Sequence, residues 1–197
     1  TIINIGDLLD FHAISMHDHD PDLPSSGNEL SIARQYVREL ESIFPDVTEV
    51  HSNHSSLVYR RAIKYGMSRE FLRPYSEFLG TKKWKWVDDI TLTCNGDRIF
   101  FTHGRSADVL KVSQAMGMST VQGHYHTKFS IGYWANPDKL YFGMQVGCLI
   151  NQKSLAFGYA KNFATRFILG CGIIIDGTPR LLPMVLNNKG DWIGQVV

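Results

Sequence analysis

The chain has 197 residues, 44% hydrophobic and 20% charged, a balance that fits a folded globular protein and excludes disordered and collagen-like classes. A formal net charge of +1 gives no long-range pull towards nucleic acid or an anionic membrane. No apolar run approaches the ~20 residues of a membrane span, no basic-then-apolar leader is present, and three widely spaced cysteines (Cys94, Cys148, Cys171) suit neither a CxxC site nor a disulfide framework. A cytoplasmic protein without a membrane partner is expected.

The first predicted element is a strand, "TIINI", running into Gly6-Asp7, two leucines and a second carboxylate, Asp10. Residues 11–29, "FHAISMHDHDPDLPSSGNE", read as a polar loop. Within it "HDHDPD" (17–22) holds two histidines and three acids; a solvated loop is the simpler reading, a second metal cluster at the rim of a pocket the sharper one. Ser26-Gly27-Asn28-Glu29 has capping-box spacing, and the helix after it places Leu30, Ala33, Tyr36, Val37, Leu40, Ile43 and Phe44 on one stripe until Pro45. "VTEVH" (47–51) is a strand ending in "SNHSS". Helices are expected around Leu57–Tyr65 and around Arg69–Leu79, closed by Gly66 and Gly80. "TKKWKW" (81–86) alternates lysine with tryptophan, as a strand with buried indoles does, or a nucleic-acid surface.

The second half is richer in strands. "WKWVDDITLT" and "RIFFTHG" flank Asn95-Gly96, a type I′ hairpin signal. "ADVLKVSQAMG" predicts a helix. "STVQGHYHT", "FSIGYW", "KLYFGMQVG", "FILGCGIII" and "PRLLPMVL" predict strands, with turns at Asn136-Pro137-Asp138 and Asp176-Gly177-Thr178. The order of elements predicts an α/β fold in which two packed mixed β-sheets are flanked by helices, an αββα sandwich, and a single domain over residues 1–197.

Residues able to bind a metal recur at predicted strand ends: Asp7, then Asn53-His54, then His103, then His124 and His126. Open α/β sheets build their sites at such ends. In an extended segment, alternate residues point the same way, so "GHYH" is expected to aim His124 and His126 at one centre. Imidazole nitrogens with carboxylate and amide oxygens suit Mn, Fe, Zn or Ni. Read singly, Asp7 can cap a turn, Asn53 can be a turn residue and His103 a strand-end histidine. Taken together they predict a metal site.

"GDLLD", "SNH", "THG" and "GHYH" resemble four of the five sequence blocks of the calcineurin-like metallophosphoesterases, in the same order and over nearly the whole chain. "MQVGCL" (144–149) is similar to the strand and turn that follow the last histidines in that family. The resemblance implies a phosphatase or phosphodiesterase that cleaves a phosphomonoester or phosphodiester by in-line attack of a hydroxide bridging two divalent ions. It implies that Asp7 bridges the ions, that Asn53, His103 and His124 complete one shell, and that His126 belongs to the other. His54 would donate a proton to the leaving oxygen. Arg60, Arg61 and Arg105 lie close enough in sequence to these blocks to be candidate contacts to the substrate phosphate.

Two departures bear on that reading. Ser55 stands where the family has an acid, and Ser52 where it has a glycine, which leaves Asp10 or another acid to orient His54. The family's first block, Asp-x-His, is not in these 197 residues. Its strand and two ligands would precede residue 1, so an N-terminally incomplete domain is expected; with Asp7 and His126 alone for the second ion, one bound ion is the alternative. A catalytically degenerate relative acting as a binding or scaffold subunit therefore stands beside the hydrolase reading. Nucleic acid is one phosphoester among several, and the net charge does not favour it.

Overall fold

The computed structural model describes residues 1–15, 22–151 and 166–196; apart from Asp22, the "HDHDPD" stretch lies outside the described residues. The chain divides into two compact units, the first comprising residues 1–88 and the second residues 89–151 and 166–196 of those described. The class expected from the sequence is met: an α/β chain with mixed and antiparallel sheets flanked by helices. Among the described residues, no helix is long and apolar enough to cross a membrane, and the three cysteines are thiols rather than disulfides.

In the first unit, β1 (Ile2–Asn4), β2 (Val47–Val50) and β3 (Lys85–Val87) form a parallel three-stranded sheet in the order β1-β2-β3. Parallel neighbours need a crossover, and α1 (Ser26–Ile43) supplies it between β1 and β2. The cap of α1 is Ser25, one residue earlier than the capping-box spacing suggests; its Oγ accepts from Asn28 N at 3.4 Å. Glu29 does not reach back to the cap because it accepts from His12 N instead, at 3.1 Å. Of the predicted apolar stripe only Val37 is fully buried, and Tyr36 and Ile43 lie exposed.

Between β2 and β3 come α2 (Leu57–Lys64), a 3-10 turn (Arg69–Phe71) and α3 (Tyr75–Leu79). The single helix expected over 69–79 is broken because Pro74 disfavours helical geometry in the residue before it and serves as the N-cap of α3. Leu9, Phe11, Leu57, Tyr75 and Leu79 form the buried core of this unit. Tyr75 is its hub, stacked on Trp86 at 5.2 Å and edge-on to Tyr59 at 5.0 Å. Residues 81–84 are a turn rather than a strand, closed by Trp84 N to Thr81 O at 3.1 Å. Both indoles are turned inward, Trp84 Nε1 donating to Phe44 O and Trp86 Nε1 to Thr81 Oγ1.

The second unit begins where the predicted strand "WKWVDDITLT" divides at Asp88: its first half is β3, its second half β4 (Asp89–Cys94). A mixed sheet runs β4-β5-β6-β8-β7, with β5 (Asp97–Thr102), β6 (Ser119–Gln122), β7 (Phe129–Ala135) and β8 (Leu140–Val146). Asn95 and Gly96, with φ of 51° and 81°, form the I′ turn of the β4–β5 hairpin. α4 (Val109–Met116) crosses from β5 to β6 and packs on β6, β7 and β8. It seats over the paired glycines Gly132 and Gly143, where a Cβ would meet Leu110 and Val109 at 2.9 Å. An antiparallel sheet of β9 (Gly170–Ile175), β10 (Thr178–Leu186) and β11 (Trp192–Val196) completes the unit, β9 and β10 meeting β8 and β7. The sequence reading did not include β11.

Candidate functional site

The parallel pairing of β1 with β2 sets the first group of candidate residues. Their register pairs Asn4 with Glu49, so both strands end together and Asp7 and Asn53-His54 follow as loop residues. Gly6 and Asp7 both adopt left-handed backbone, φ 86° and 57°. That geometry is natural for glycine and costs a non-glycine residue on the order of 1 kcal/mol, and such outliers gather at functional sites.

Ser52 and Ser55 shape the turn that presents Asn53 and His54. Ser52 N donates to Ser55 Oγ at 2.8 Å, and Ser55 N to Ser52 Oγ at 3.0 Å, with both side chains buried. Ser55 therefore closes its own turn. Asp10 takes the orienting role: His54 Nδ1 lies 3.0 Å from Asp10 Oδ1 and 2.8 Å from Asp10 O. An N–H on Nδ1 donates to both oxygens, which leaves Nε2 as the ring's other proton carrier.

The Asp10 hydrogen bond, opposed by burial and assisted by the Asp7 charge, pushes the His54 pKa up to about 9. A folded-state pKa above the ordinary 6.5 means that the pair's stabilisation is complete below pH 6.5 and is lost as pH rises through about 9. An NMR titration of metal-free protein is expected to show His54 still charged at pH 8, and Asp10→Asn to return it towards the ordinary histidine range. An unshifted His54 in the parent protein would contradict the pairing.

Glu49 carries a group that the sequence reading did not single out. It is 1% exposed in the central strand, and burial holds its carboxyl well above the usual range, with Asn4 lowering it and Asp7 raising it. The alternation of "VTEV" gave no sign of this, because a glutamate at a strand position reads as a solvent-facing one. His51, two residues on, packs its ring against Tyr75 and Trp86 at 5.4 and 5.3 Å, and burial lowers its pKa.

The second unit holds the other group. β5 and β6 are parallel neighbours with Thr102 opposite Gln122, so the residues just beyond their C-terminal ends are adjacent. Gly123 N donates to His103 O at 2.9 Å, and His103 Nε2 lies 3.0 Å from His124 Nδ1. Two imidazole nitrogens at that separation either share a proton or take one ion. Two cis ligands with ~2.1 Å bonds stand ~3.0 Å apart, so the separation of the pair matches that of two nitrogens that would hold one divalent ion.

"GHYH" is not extended. His124 is left-handed at φ 65°, Tyr125 N bonds back to Gly123 O at 2.7 Å and His126 N to His124 O at 3.1 Å. The alternation that would aim both histidines one way is therefore absent: His124 turns to His103, and the His126 ring lies edge-on to Phe167 at 5.7 Å. Gly104 is the close-approach glycine here, since a Cβ on it would stand 2.6 Å from His124 Cβ. Gly104→Ala is expected to separate the two rings and to weaken divalent-ion affinity at least ~10-fold, read by calorimetric titration with Mn²⁺.

Two glutamines missed by the motif reading hold the loop after His103. Gln122 and Gln145 are register partners on β6 and β8 and are almost fully buried. Gln122 Nε2 donates to Ser106 O at 2.6 Å, its Oε1 accepts from Arg105 N at 3.4 Å, and Gln145 Nε2 donates to Ala107 O at 3.4 Å. A buried glutamine at the C-terminal end of a strand was the available signal.

The candidate arginines have internal partners. Arg60 donates to Asn53 O at 2.9 Å, Arg61 to Ile14 O at 2.9 Å and to Ser15 O, and Arg105 to Asp89 Oδ2 at 2.5 Å while its guanidinium lies 5.2 Å from the Phe100 ring centre.

No family model matches the sequence, and no curated protein does. Among solved structures, the chain is similar to one described as a novel archaeal phosphodiesterase, with a TM-score of 0.37 and 17% identity over 77% of this chain and 91% of that one.

Proposed function

We propose that the chain is a metal-dependent phosphoesterase whose substrate is a phosphomonoester or phosphodiester. The observation that carries this reading is the His54–Asp10 pair: an imidazole fixed at Nδ1 by a carboxylate 3.0 Å away, next in sequence to an amide donor, Asn53. By the resemblance, Asp7, Asn53, His103, His124 and His126 would be ligands of divalent ions, a donor set that suits Mn, Fe, Zn or Ni. Within the second unit, His103 and His124 would offer one such ion two imidazole nitrogens 3.0 Å apart. When bound, such ions supply a water of lowered pKa and positive charge towards the phosphate oxygens.

The remaining chemistry belongs to the chain itself. His54, charged near neutral pH because Asp10 accepts from Nδ1, presents Nε2–H to the leaving oxygen and gives it the proton as the ester bond breaks. Asp10 keeps the tautomer and ring plane fixed. Asn53, anchored through its carbonyl by Arg60, sits in the turn closed by Ser52 and Ser55.

A non-catalytic relative that binds an ion or a partner is the second reading. It is favoured by the internal engagement of Arg60, Arg61 and Arg105, which leaves the phosphate without an evident arginine. Hydrolysis of nitrophenyl phosphate and bis-nitrophenyl phosphate, with and without Mn²⁺, separates the two. Mn²⁺-dependent turnover is expected; no turnover with Mn²⁺, Fe²⁺, Zn²⁺ or Ni²⁺ would overturn the enzyme reading.

A further inference from the structure

The Asp10–His54 contact depends on where the backbone of Asp10 sits, because His54 Nδ1 bonds both its side chain and its carbonyl. Both side chains are about one-third exposed, His54 at 33% and Asp10 at 37%. An ion pair that exposed does not hold its own geometry against side-chain entropy and solvent. Something else must place Asp10, and the loop after it shows what does.

Phe11 is left-handed at φ 53°, an uncommon conformation for a bulky residue, and a 3-10 turn follows at His12–Ile14. A charged side chain from a different helix meets each end of that turn. At its start, Glu29 of α1 accepts from His12 N at 3.1 Å, and the Phe11 and Ala13 amides also act on its carboxylate. At its end, Arg61 of α2 donates through Nε to Ile14 O at 2.9 Å and through a second guanidinium nitrogen to Ser15 O. Negative charge faces the N–H groups at the start of the turn and positive charge the carbonyls at its end, which is how helix ends are satisfied. Charged partners make these bonds stronger than neutral ones.

We infer that Glu29 and Arg61 are positioning residues that lock the segment Asp10–Ser15, so that Asp10 meets His54 in the geometry needed for proton donation. The proton-donation clause rests on the phosphoesterase reading; the lock itself does not. Arg61 thereby acquires a role different from phosphate binding, since two of its guanidinium nitrogens are committed to backbone carbonyls. Neither residue touches the reacting atoms. Both act through Asp10, where a displacement of about 1 Å is enough to lose a productive contact.

The test uses Mn²⁺-loaded protein with Glu29→Ala, Glu29→Gln and Arg61→Ala, assayed on two esters that differ in leaving group, nitrophenyl phosphate and phenyl phosphate. A proton donor matters more to the poorer leaving group. Glu29→Ala and Arg61→Ala are expected to lower kcat on phenyl phosphate about 10-fold and on nitrophenyl phosphate less than about 2-fold, with KM unchanged. Glu29→Gln keeps an acceptor for His12 N and is expected to behave as the parent. In an Asp10→Ala background, where the side-chain acceptor is gone, Glu29→Ala is expected to cost less than it does in the parent. Equal losses on both esters, or an undiminished loss in the Asp10→Ala background, would overturn the proposal.

A second readout needs neither metal nor turnover: the downfield NMR resonance of the His54 Nδ1 proton. It is expected in the parent and in Glu29→Gln, and to be lost to solvent exchange in Glu29→Ala and Arg61→Ala. Its persistence in both alanine variants would overturn the lock even if neither ester were hydrolysed, whereas absent turnover in the parent counts against the phosphoesterase reading alone.

Discussion

His54→Ala is expected to lower kcat on phosphate esters by roughly 10²–10⁴-fold, the range for loss of a positioned general acid, while KM changes little. His54 is held at Nδ1 by Asp10, so Nε2 alone is free to serve the leaving oxygen, and Asp10 keeps the ring charged well above neutral pH. Removing the ring removes the donor without touching the turn, which Ser52 and Ser55 close between themselves. The fold should therefore survive, and circular dichroism with thermal melting checks that it does. Asp10→Asn keeps a hydrogen-bond acceptor and loses the charge, so its effect is expected to be smaller and to grow as pH rises towards 9. The measurement is kcat against pH for the parent and both variants. Equal kcat in His54→Ala and the parent would remove His54 from the chemistry.

The fold class was legible because the patterns that carry it are local. Hydrophobic runs bounded by Gly, Pro and Asn-Gly mark strands, and the I′ geometry of Asn95-Gly96 is dictated by those two residues themselves. Boundaries were less legible where tertiary structure competes. Asp88 divides one apolar run between two sheets, and Pro74 divides one helical run into two short pieces. Each candidate ligand does follow a strand end, and parallel register then pairs His103 with His124. What the spacing of "GHYH" could not convey is its backbone. Period-two alternation assumes extended φ and ψ, whereas φ at His124 is positive and two successive tight turns follow. Serine at position 55 likewise reads as a lost acid until its bonds to Ser52 are seen. Arg61 reads as a phosphate ligand until the carbonyls of Ile14 and Ser15 are found on its fork.

The largest expected effect on ion binding comes from breaking the imidazole pair. Adding Mn²⁺ at ~100 times its Kd is expected to stabilise the parent protein by about 2.7 kcal/mol, a rise of roughly 5–10 °C in Tm for a chain of this size. His103→Ala and His124→Ala are each expected to abolish most of that rise, because one imidazole cannot form the 3.0 Å edge that two provide. Without metal the same variants should differ little in stability from the parent. The ring contact is then a neutral hydrogen bond, whose net contribution is about 1 kcal/mol. This contrast matters more than either result alone. A structural pair would cost stability with or without Mn²⁺, whereas an ion-binding pair costs it only when Mn²⁺ is present. The measurement is differential scanning fluorimetry across a Mn²⁺ series, with elemental mass spectrometry of the desalted protein for ions per chain. If Tm of the parent is indifferent to every divalent ion tested, the paired histidines are a hydrogen bond and the metal centre is not there.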